Sequence, residues 1–472
     1  MTTTTEPKPA ASPNGALRSV PDLVAHLRQT YVSGRTRPLA WRREQLERLR
    51  LMLVEREADL LGALATDLGK PPTEAWATDV GFVISEIDYV RRHLRSWMRP
   101  ERVWTPMIAR PGKARLVREP YGVALVIAPW NYPVQLLLSP MVGALAAGNC
   151  VVGKPSELAP ATSAVLARTI PKYLDTDAVA VVEGGAAETQ ALLAEPFDYI
   201  FYTGNSRVAR VVMEAAAKRL TPVTLELGGK SPVIVDDDAD LEVAARRVAW
   251  GKYLNAGQTC IAPDYALVTR GAADRFVEQI RRAVFDFYGA DPKDSPDYGR
   301  IVNDQHCQRL AMLLAGETAT VGVTVERAER YIAPTVLQDV APDAGVLQEE
   351  IFGPILPVLP VESVDAAIEY VNAREKPLAL YLFSRSRATR EHVLEQTSSG
   401  GAAVNATLFQ VSVPGLPFGG IGPSGMGAYH GKASFDTFSH AKGVFRKSTK
   451  PDPALAYPPY TPRKERLMRR FL

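Results

Sequence analysis

Between residues 122 and 227 five short apolar runs alternate with stretches of helical periodicity. The runs are 122–128, 150–154, 178–182, 198–202 and 222–227, and the stretches between them are 136–147, 161–173, 188–194 and 208–220. Strands that are apolar along their whole length suit a sheet covered on both faces, and the helical stretches suit right-handed crossovers between parallel strands. Such sheets bind ligands at the carboxyl ends of their strands. That directs attention to the residues just past each run: Pro129-Trp130-Asn131, Lys154-Pro155-Ser156-Glu157, Gly184-Gly185, Thr203-Gly204-Asn205-Ser206 and Glu226-Leu227-Gly228-Gly229. The alternation resumes after 232, with strand-like 232–235, 265–268, 355–359, 378–383 and 402–404 and helix-like 240–253, 272–288 and 364–373, a second α/β unit.

Ahead of these units, residues 20–97 carry leucines at helical spacing (Leu46, Leu49, Leu51, Leu53, Leu60, Leu61, Leu64), broken by Gly69-Lys70-Pro71-Pro72. They read as helices covering a sheet face. Residues 103–121 read as a hairpin with a polar face.

Size supports the two units, since a chain of 472 residues exceeds what one growing core accommodates. The net charge of +3 gives no footprint for nucleic acid. Three cysteines speak against a disulfide framework and for a reducing compartment, and the cytoplasm is the expected location. The Thr/Pro/Ala-rich start lacks the features of a signal peptide and reads as a floppy leader over 1–17. No apolar run suits a membrane helix. The six histidines are scattered, and no Cys/His pair has zinc-ligand spacing, so no metal is expected.

Two motif matches carry little. Gly420-Ile-Gly422-Pro-Ser-Gly425 fits the dinucleotide glycine formula but follows no clear strand and opens no helix, so it reads as a glycine-rich turn. The segment Gly148 to Lys154 resembles a phosphate-binding loop, but Pro155 stands where a magnesium-holding hydroxyl belongs.

The thiols separate by context. Cys150 lies in an apolar run and reads as packing. Cys307 lies in a polar helix-like stretch, where partial exposure without a role is expected. Cys260 follows Asn255-Ala-Gly-Gln-Thr259, small and polar residues at a helix-to-strand crossing, where backbone N–H groups would stabilise a thiolate. A thiolate attacking a carbonyl needs an oxyanion donor, which the Asn131 amide can supply. A thioester needs a base to activate water, and Glu226 stands at a strand end. As plain structure, Asn131 is a turn residue and Glu226 a buried carboxylate that needs a partner or a raised pKa.

The motifs Ala128-Pro-Trp-Asn-Tyr132, Lys154-Pro-Ser-Glu157, Leu225-Glu-Leu-Gly-Gly-Lys-Ser-Pro232, Gly257-Gln-Thr-Cys260 and Glu349-Glu-Ile-Phe-Gly-Pro354 stand in the order found in the NAD(P)-dependent aldehyde dehydrogenase superfamily. The chain resembles that family from about Leu46 to Arg446. Cys260-Ile-Ala-Pro-Asp-Tyr265 and residues 417–440 resemble its class 3 and fatty-aldehyde branch. The resemblance implies a Rossmann-type cofactor domain (18–102 and 122–229), an α/β catalytic domain (230–405), a small β bridging region (103–121 and 406–447) and a tail (448–472). It implies oxidation of an aldehyde to the acid, with Cys260 as nucleophile, Glu226 as deacylating base, and Asn131 with the Cys260 N–H as oxyanion hole.

It further implies cofactor contacts from Ala128, Pro129, Trp130, Lys154, Glu157, Gly204, Asn205, Ser206, Val208, Leu227, Gly228, Glu350 and Phe352. Glu157 would accept from the adenosine ribose hydroxyls and repel a 2′-phosphate, so NAD is expected, with NADP accepted. The chain departs from the family at Thr203-Gly-Asn-Ser-Arg-Val-Ala209, where Asn205, Ser206 and Ala209 replace Ser, Thr and Gly, and at Gly153, where a larger apolar residue is common.

Tyr132, Phe409 and Val413 are candidate pocket residues, and their character favours medium-to-long aliphatic or aromatic aldehydes. The branch implies a homodimer, motivated by an exposed strand edge on the bridge. For the basic tail, docking on protein is expected over contact with anionic lipid. A CoA-acylating or reductive relative and a non-catalytic binding relative are the alternative readings.

Overall fold

A computed structural model describes residues 10–11, 17–452 and 454–471. Most of the leader, and Leu472 of the tail, lie outside them. Helices come first: α1 (Val20–Val32), α2 (Leu39–Glu55), α3 (Glu57–Leu68) and, after a short helical stretch over Pro72–Ala75 and Trp76–Val80, α4 (Gly81–Trp97). Five of the leucines at helical spacing, Leu46, Leu49, Leu53, Leu60 and Leu64, form the buried faces and are inaccessible to solvent, whereas Leu51 is exposed and Leu61 partly so, because they fall off the buried stripes of α2 and α3. The Ser19 hydroxyl caps α1 by accepting the Asp22 amide, and α3 stops at Gly69, whose φ of 61° ends a helix without strain. The polar hairpin follows, β1 (Glu101–Val103) antiparallel to β2 (Gly112–Pro120).

The first α/β unit contains β3 (Val123–Ile127), β4 (Cys150–Lys154), β5 (Val179–Val181), β6 (Tyr199–Thr203) and β7 (Val223–Glu226). The helices between them are α5 (Gln135–Ala147), α6 (Pro160–Tyr173), α7 (Ala186–Ala194) and α8 (Ser206–Ala217). The five strands are parallel, and β3 has β4 on one side and β6 on the other. Chain order therefore reverses beside β3, which opens a crevice at the carboxyl ends of β3 and β6.

The second unit is a seven-stranded sheet. Its strands are β8 (Pro232–Val235), β9 (Tyr265–Thr269), β10 (Ala319–Val321), β11 (Thr335–Leu337), β12 (Ile355–Val361), β13 (Ala379–Phe383) and β14 (Gly401–Val404). They lie in the order β10-β11-β12-β9-β8-β13-β14, with only β10 antiparallel to its neighbour. The helices α9 (Leu241–Tyr253), α10 (Ala273–Tyr288), α11 (Asp304–Leu314), α12 (Val364–Asn372) and α13 (Arg387–Gln396) accompany it. Each unit has its own apolar core, and Phe418 packs against both.

The glycine-rich stretch after 414 returns to the first unit. The short β15 (Gly425–Met426) pairs antiparallel with β7, setting Gly425 opposite Glu226. A side chain at Gly425 would put its Cβ 2.2 Å from the Leu225 carbonyl oxygen, so this approach requires glycine. The turn before it is stitched by Ser424, whose hydroxyl accepts the Ile421 amide at 2.9 Å. After α14 (Gly431–Thr437), the nine-residue β16 (Ser439–Lys447) pairs along all of β2, completing a three-stranded sheet in the order β16-β2-β1. The tail ends in α15 (Pro462–Phe471), which lies against the turn Met107–Ala109. Among the described residues no helix is long and apolar enough to cross a membrane.

Candidate active site

The chain reaches Cys260 through a strained turn. After α9, Asn255, Ala256 and Gly257 all have positive φ (51°, 51° and 75°). Only glycine adopts that region freely, and each other residue costs about 1–2 kcal/mol there. At 257 a Cβ would also meet the Gly353 carbonyl oxygen at 2.2 Å. Side chains hold the turn. Gln258 Nε2 donates to the main-chain oxygens of Asn255 and Arg300, both at 2.9 Å, and its Oε1 accepts the Val302 amide at 2.9 Å. Asn255 Nδ2 donates to the main-chain oxygens of Asn131 and Gln258 at 2.8 and 3.1 Å.

Asn131, just past β3, is buried and faces this loop. Its Nδ2 donates one hydrogen to the Gln258 carbonyl oxygen at 3.0 Å. That bond fixes the amide plane and leaves the second N–H as a directed donor. Tyr132, also buried, has its hydroxyl 2.5 Å from Thr259 Oγ1.

Glu226 ends β7 with both carboxylate oxygens buried and without a hydrogen-bond partner among the described residues. Burial alone pushes its carboxyl well above the usual range. Glu350 is half-buried and pushed up to about 8, by burial and then by Asp264, against the Gly229 N–H, Lys230 and Arg309. The partly exposed Cys260 thiol is raised by burial first, then by Glu350 and Glu226. Its own N–H and that of Ile261 pull the other way. The expected backbone stabilisation of a thiolate is therefore present but outweighed by burial and the two carboxylates. The other two cysteines differ from it. Cys150 is buried in β4, as expected. Cys307 is also fully buried, contrary to the expected partial exposure, because it shares one face of α11 with Leu310 and Leu314.

The residues expected at a cofactor are gathered at the strand ends of the first unit and at 350–352. The Ala128 amide donates to the Lys154 carbonyl oxygen at 3.0 Å, next to the partly exposed Pro129 and Trp130. Buried Lys154 places Nζ 2.8 Å from Glu157 Oε2, and Glu157 is half exposed. Asn205 caps α8, its Oδ1 accepting the Val208 amide at 2.9 Å, while Ser206 is exposed and Ala209 buried in the core. The departure at 205 thus keeps a helix N-terminus facing the crevice. Leu227 donates its amide to Ser424 at 3.1 Å. At Gly228 a Cβ would lie 2.0 Å from Glu350 Oε2, so this glycine lets the carboxylate close on the strand end. Phe352, at φ 49°, meets Trp130 edge to face at 5.3 Å. The buried Thr203 hydroxyl beside Gly204 has no partner among the described residues. An unpaired hydroxyl, a capped helix start and glycines that admit close approach fit a dinucleotide.

The pocket candidates do not gather in one place. Tyr132 is interior, whereas Phe409 is 57% exposed and stacks on Trp250 at 5.2 Å, and Val413 is 46% exposed. Their turn reaches the nucleophile's loop indirectly, through Gln410 Nε2 to the Tyr381 hydroxyl (3.3 Å) and from that hydroxyl to the Ile261 carbonyl oxygen (2.6 Å). Sequence reasoning missed His306, whose ring lies 5.1 Å from that of Trp130, and the bracing roles of Asn255 and Gln258, which only their place in the small-and-polar loop hints at.

The model of the aldehyde dehydrogenase family matches residues 5–444. The chain belongs to that family. Aldehyde dehydrogenase family 3 member A2 of Macaca fascicularis is 49% identical over 438 residues, covering 92% of this chain and 90% of the relative. The dimeric NADP-preferring aldehyde dehydrogenase of Canis lupus familiaris is 48% identical, covering 94% and 98%. The substrate-bound structure of Staphylococcus aureus AldH superposes with a TM-score of 0.94 at 44% identity, covering 97% of this chain and all of the other. The resemblance to the class 3 branch and its α/β fold therefore holds. This aldehyde dehydrogenase is an NAD(P)-dependent oxidoreductase acting on an aldehyde, and the CoA-acylating and non-catalytic alternatives find no support among these relatives.

Proposed function

We propose that Cys260, Asn131 and Glu226 carry the reaction. The observation behind this reading is the bond from Asn131 Nδ2 to Gln258, two residues before Cys260, beside a buried carboxylate that has no hydrogen-bond partner among the described residues. Cys260 Sγ attacks the aldehyde carbon and its proton passes to a neighbouring carboxylate. The resulting alkoxide of the thiohemiacetal is held by the second Asn131 N–H and the Cys260 N–H. Bound NAD(P)+ supplies the hydride acceptor and a positive charge, and Lys154, Glu157, Glu350 and Phe352, with the strand ends, would hold it. Loss of hydride from the thiohemiacetal carbon leaves a thioester on Sγ. Glu226 takes a proton from water, the hydroxide adds to the thioester carbonyl, and the carboxylic acid leaves as Sγ is released.

NAD is the preferred cofactor in this reading, because the half-exposed Glu157 would repel a 2′-phosphate, while its partner Lys154 keeps NADP acceptable. The apolar side chains exposed along 409–421, Phe409, Val413 and Leu416 among them, support medium-to-long aliphatic or aromatic aldehydes. The domain division at 102, 121, 229 and 405 follows the same reading, with Gly425–Met426 of the bridging segment serving the first sheet. A homodimer forms by covering the free edge of β16, the enzyme works in the cytoplasm, and the basic tail docks on protein. The test is a steady-state series of aldehydes of increasing chain length with both cofactors. NADH formation rises with chain length and falls by at least about a thousandfold in Cys260→Ala. A Cys260→Ala enzyme with wild-type turnover rules this mechanism out.

A further inference from the structure

Lys70 and Asp79 form an ion pair whose side chains are both wholly buried, with Nζ 2.7 Å from Asp79 Oδ2. Neither belongs to the nucleophile, the base or the cofactor contacts. Withdrawing two charges from water costs several kcal/mol per ion, and an apolar pair of equal volume commonly stabilises a fold as well. The pair calls for a geometric reason, and its other contacts supply one. The Lys70 ammonium also donates to the Asn131 main-chain oxygen at 3.0 Å and lies 3.8 Å from the centre of the Tyr132 ring. The second oxygen of Asp79 accepts the amides of Val134 and Gln135 at 3.1 and 3.2 Å, where α5 begins. One ion pair thus grips the turn 131–135 at both ends.

That turn is joined to the nucleophile's loop by three hydrogen bonds. Asn131 Nδ2 reaches Gln258, Asn255 Nδ2 returns to the Asn131 main-chain oxygen, and the Tyr132 hydroxyl meets Thr259. The loop is held from the same segment that supplies Lys70, since Glu74 Oε1 accepts the Asn255 amide at 2.9 Å at the first of the three positive-φ positions. Lys70, Glu74 and Asp79 therefore brace both halves of the oxyanion hole, one through Asn131 and the other through the backbone leading to Cys260. We propose that these three residues are a positioning device that fixes the Asn131 amide relative to the Cys260 loop without touching substrate or cofactor. The proposal rests on the roles given above to Asn131 and Cys260. Oxyanion stabilisation requires a donor placed to within about half an ångström, so the device acts on turnover rather than on binding.

The test compares the double variant Lys70→Met/Asp79→Asn with Glu74→Ala and Glu74→Gln. The double variant removes both charges, keeps the volume and leaves an acceptor for the start of α5. Two reactions are followed: aldehyde oxidation, and hydrolysis of p-nitrophenyl acetate without cofactor, which uses the thiol, the oxyanion donor and the deacylating base but needs no hydride acceptor. The device predicts that kcat and the ester rate both fall at least about tenfold in the double variant, with the KM for aldehyde and the Kd for NAD changing less than about threefold. Glu74→Ala shows the same split, and Glu74→Gln, which keeps an acceptor for the Asn255 amide, returns to within about threefold of wild type. Melting temperatures confirm that each variant is folded at the assay temperature, and if the double variant does not fold, the Glu74 pair decides alone. A folded double variant with kcat within about twofold of wild type, or a Gln variant no better than Ala, overturns the proposal. Cys260→Ala is run in the same ester assay, and a wild-type rate there overturns the nucleophile assignment itself rather than its bracing.

Discussion

In the loop before Cys260, every polar atom of the Gln258 side chain is hydrogen-bonded, whereas at the end of β7 neither carboxylate oxygen of Glu226 meets a partner among the described residues. The two stand close enough for the Glu226 charge to raise the Cys260 thiol. A nucleophile has to present one geometry to a carbonyl, and a braced backbone provides it. A base has to accept a proton from water, and a desolvated carboxylate with open lone pairs is a stronger base than a paired one. A buried carboxylate without partners destabilises a fold, so its retention at a strand end points to chemistry.

The braced side can be broken with one methyl group. Gly257→Ala places a Cβ against the Gly353 carbonyl oxygen at a φ of 75°. The backbone has to shift, and a displacement of about 1 Å at the thiol lowers kcat on the order of a hundredfold, read by steady-state kinetics. Wild-type kcat in this variant means that the loop's geometry is not what turnover depends on.

The open side is sharpened by pH. Burial raises the Glu226 carboxyl, so its ionised fraction, the form that takes a proton from water, grows as pH rises toward that raised value. Single-turnover release of the acid therefore climbs as pH rises above the ordinary carboxylate range, by up to about tenfold per pH unit, and flattens in Glu226→Gln. A pH-independent wild-type rate removes Glu226 from the role of base.

Much of this contrast was legible in the amino-acid order. The parallel strands from Val123 to Glu226 match their apolar runs to within a residue or so, because strands buried on both faces leave an unbroken signature. Asn131, Glu226 and Cys260 stood out as polar groups at the ends of such strands or in a loop of small residues. The three-residue strands β10 and β11 are too short for any period to show. Cys307 was misjudged because His306 and Gln308 disguise the apolar face it shares with Leu310. Lys70, Glu74 and Asp79 lie about Gly69-Lys70-Pro71-Pro72, which reads only as a helix break. What gives them meaning is contact with residues 131 and 255, and that is created by folding. Asn205 shows the converse: expected at the phosphates, its side-chain oxygen also caps α8.

The proposed reaction passes through a covalent acyl-enzyme on Cys260 whose release depends on Glu226. Glu226→Gln is mixed with an aldehyde and NAD, quenched in acid, and its intact mass and proteolytic peptides are measured. The expected result is an added acyl mass on the peptide containing Cys260, accumulating to near one equivalent and absent from Glu226→Gln/Cys260→Ala. Turnover with Cys260 unmodified throughout, or an acyl group found on Cys150 or Cys307 instead, would contradict it.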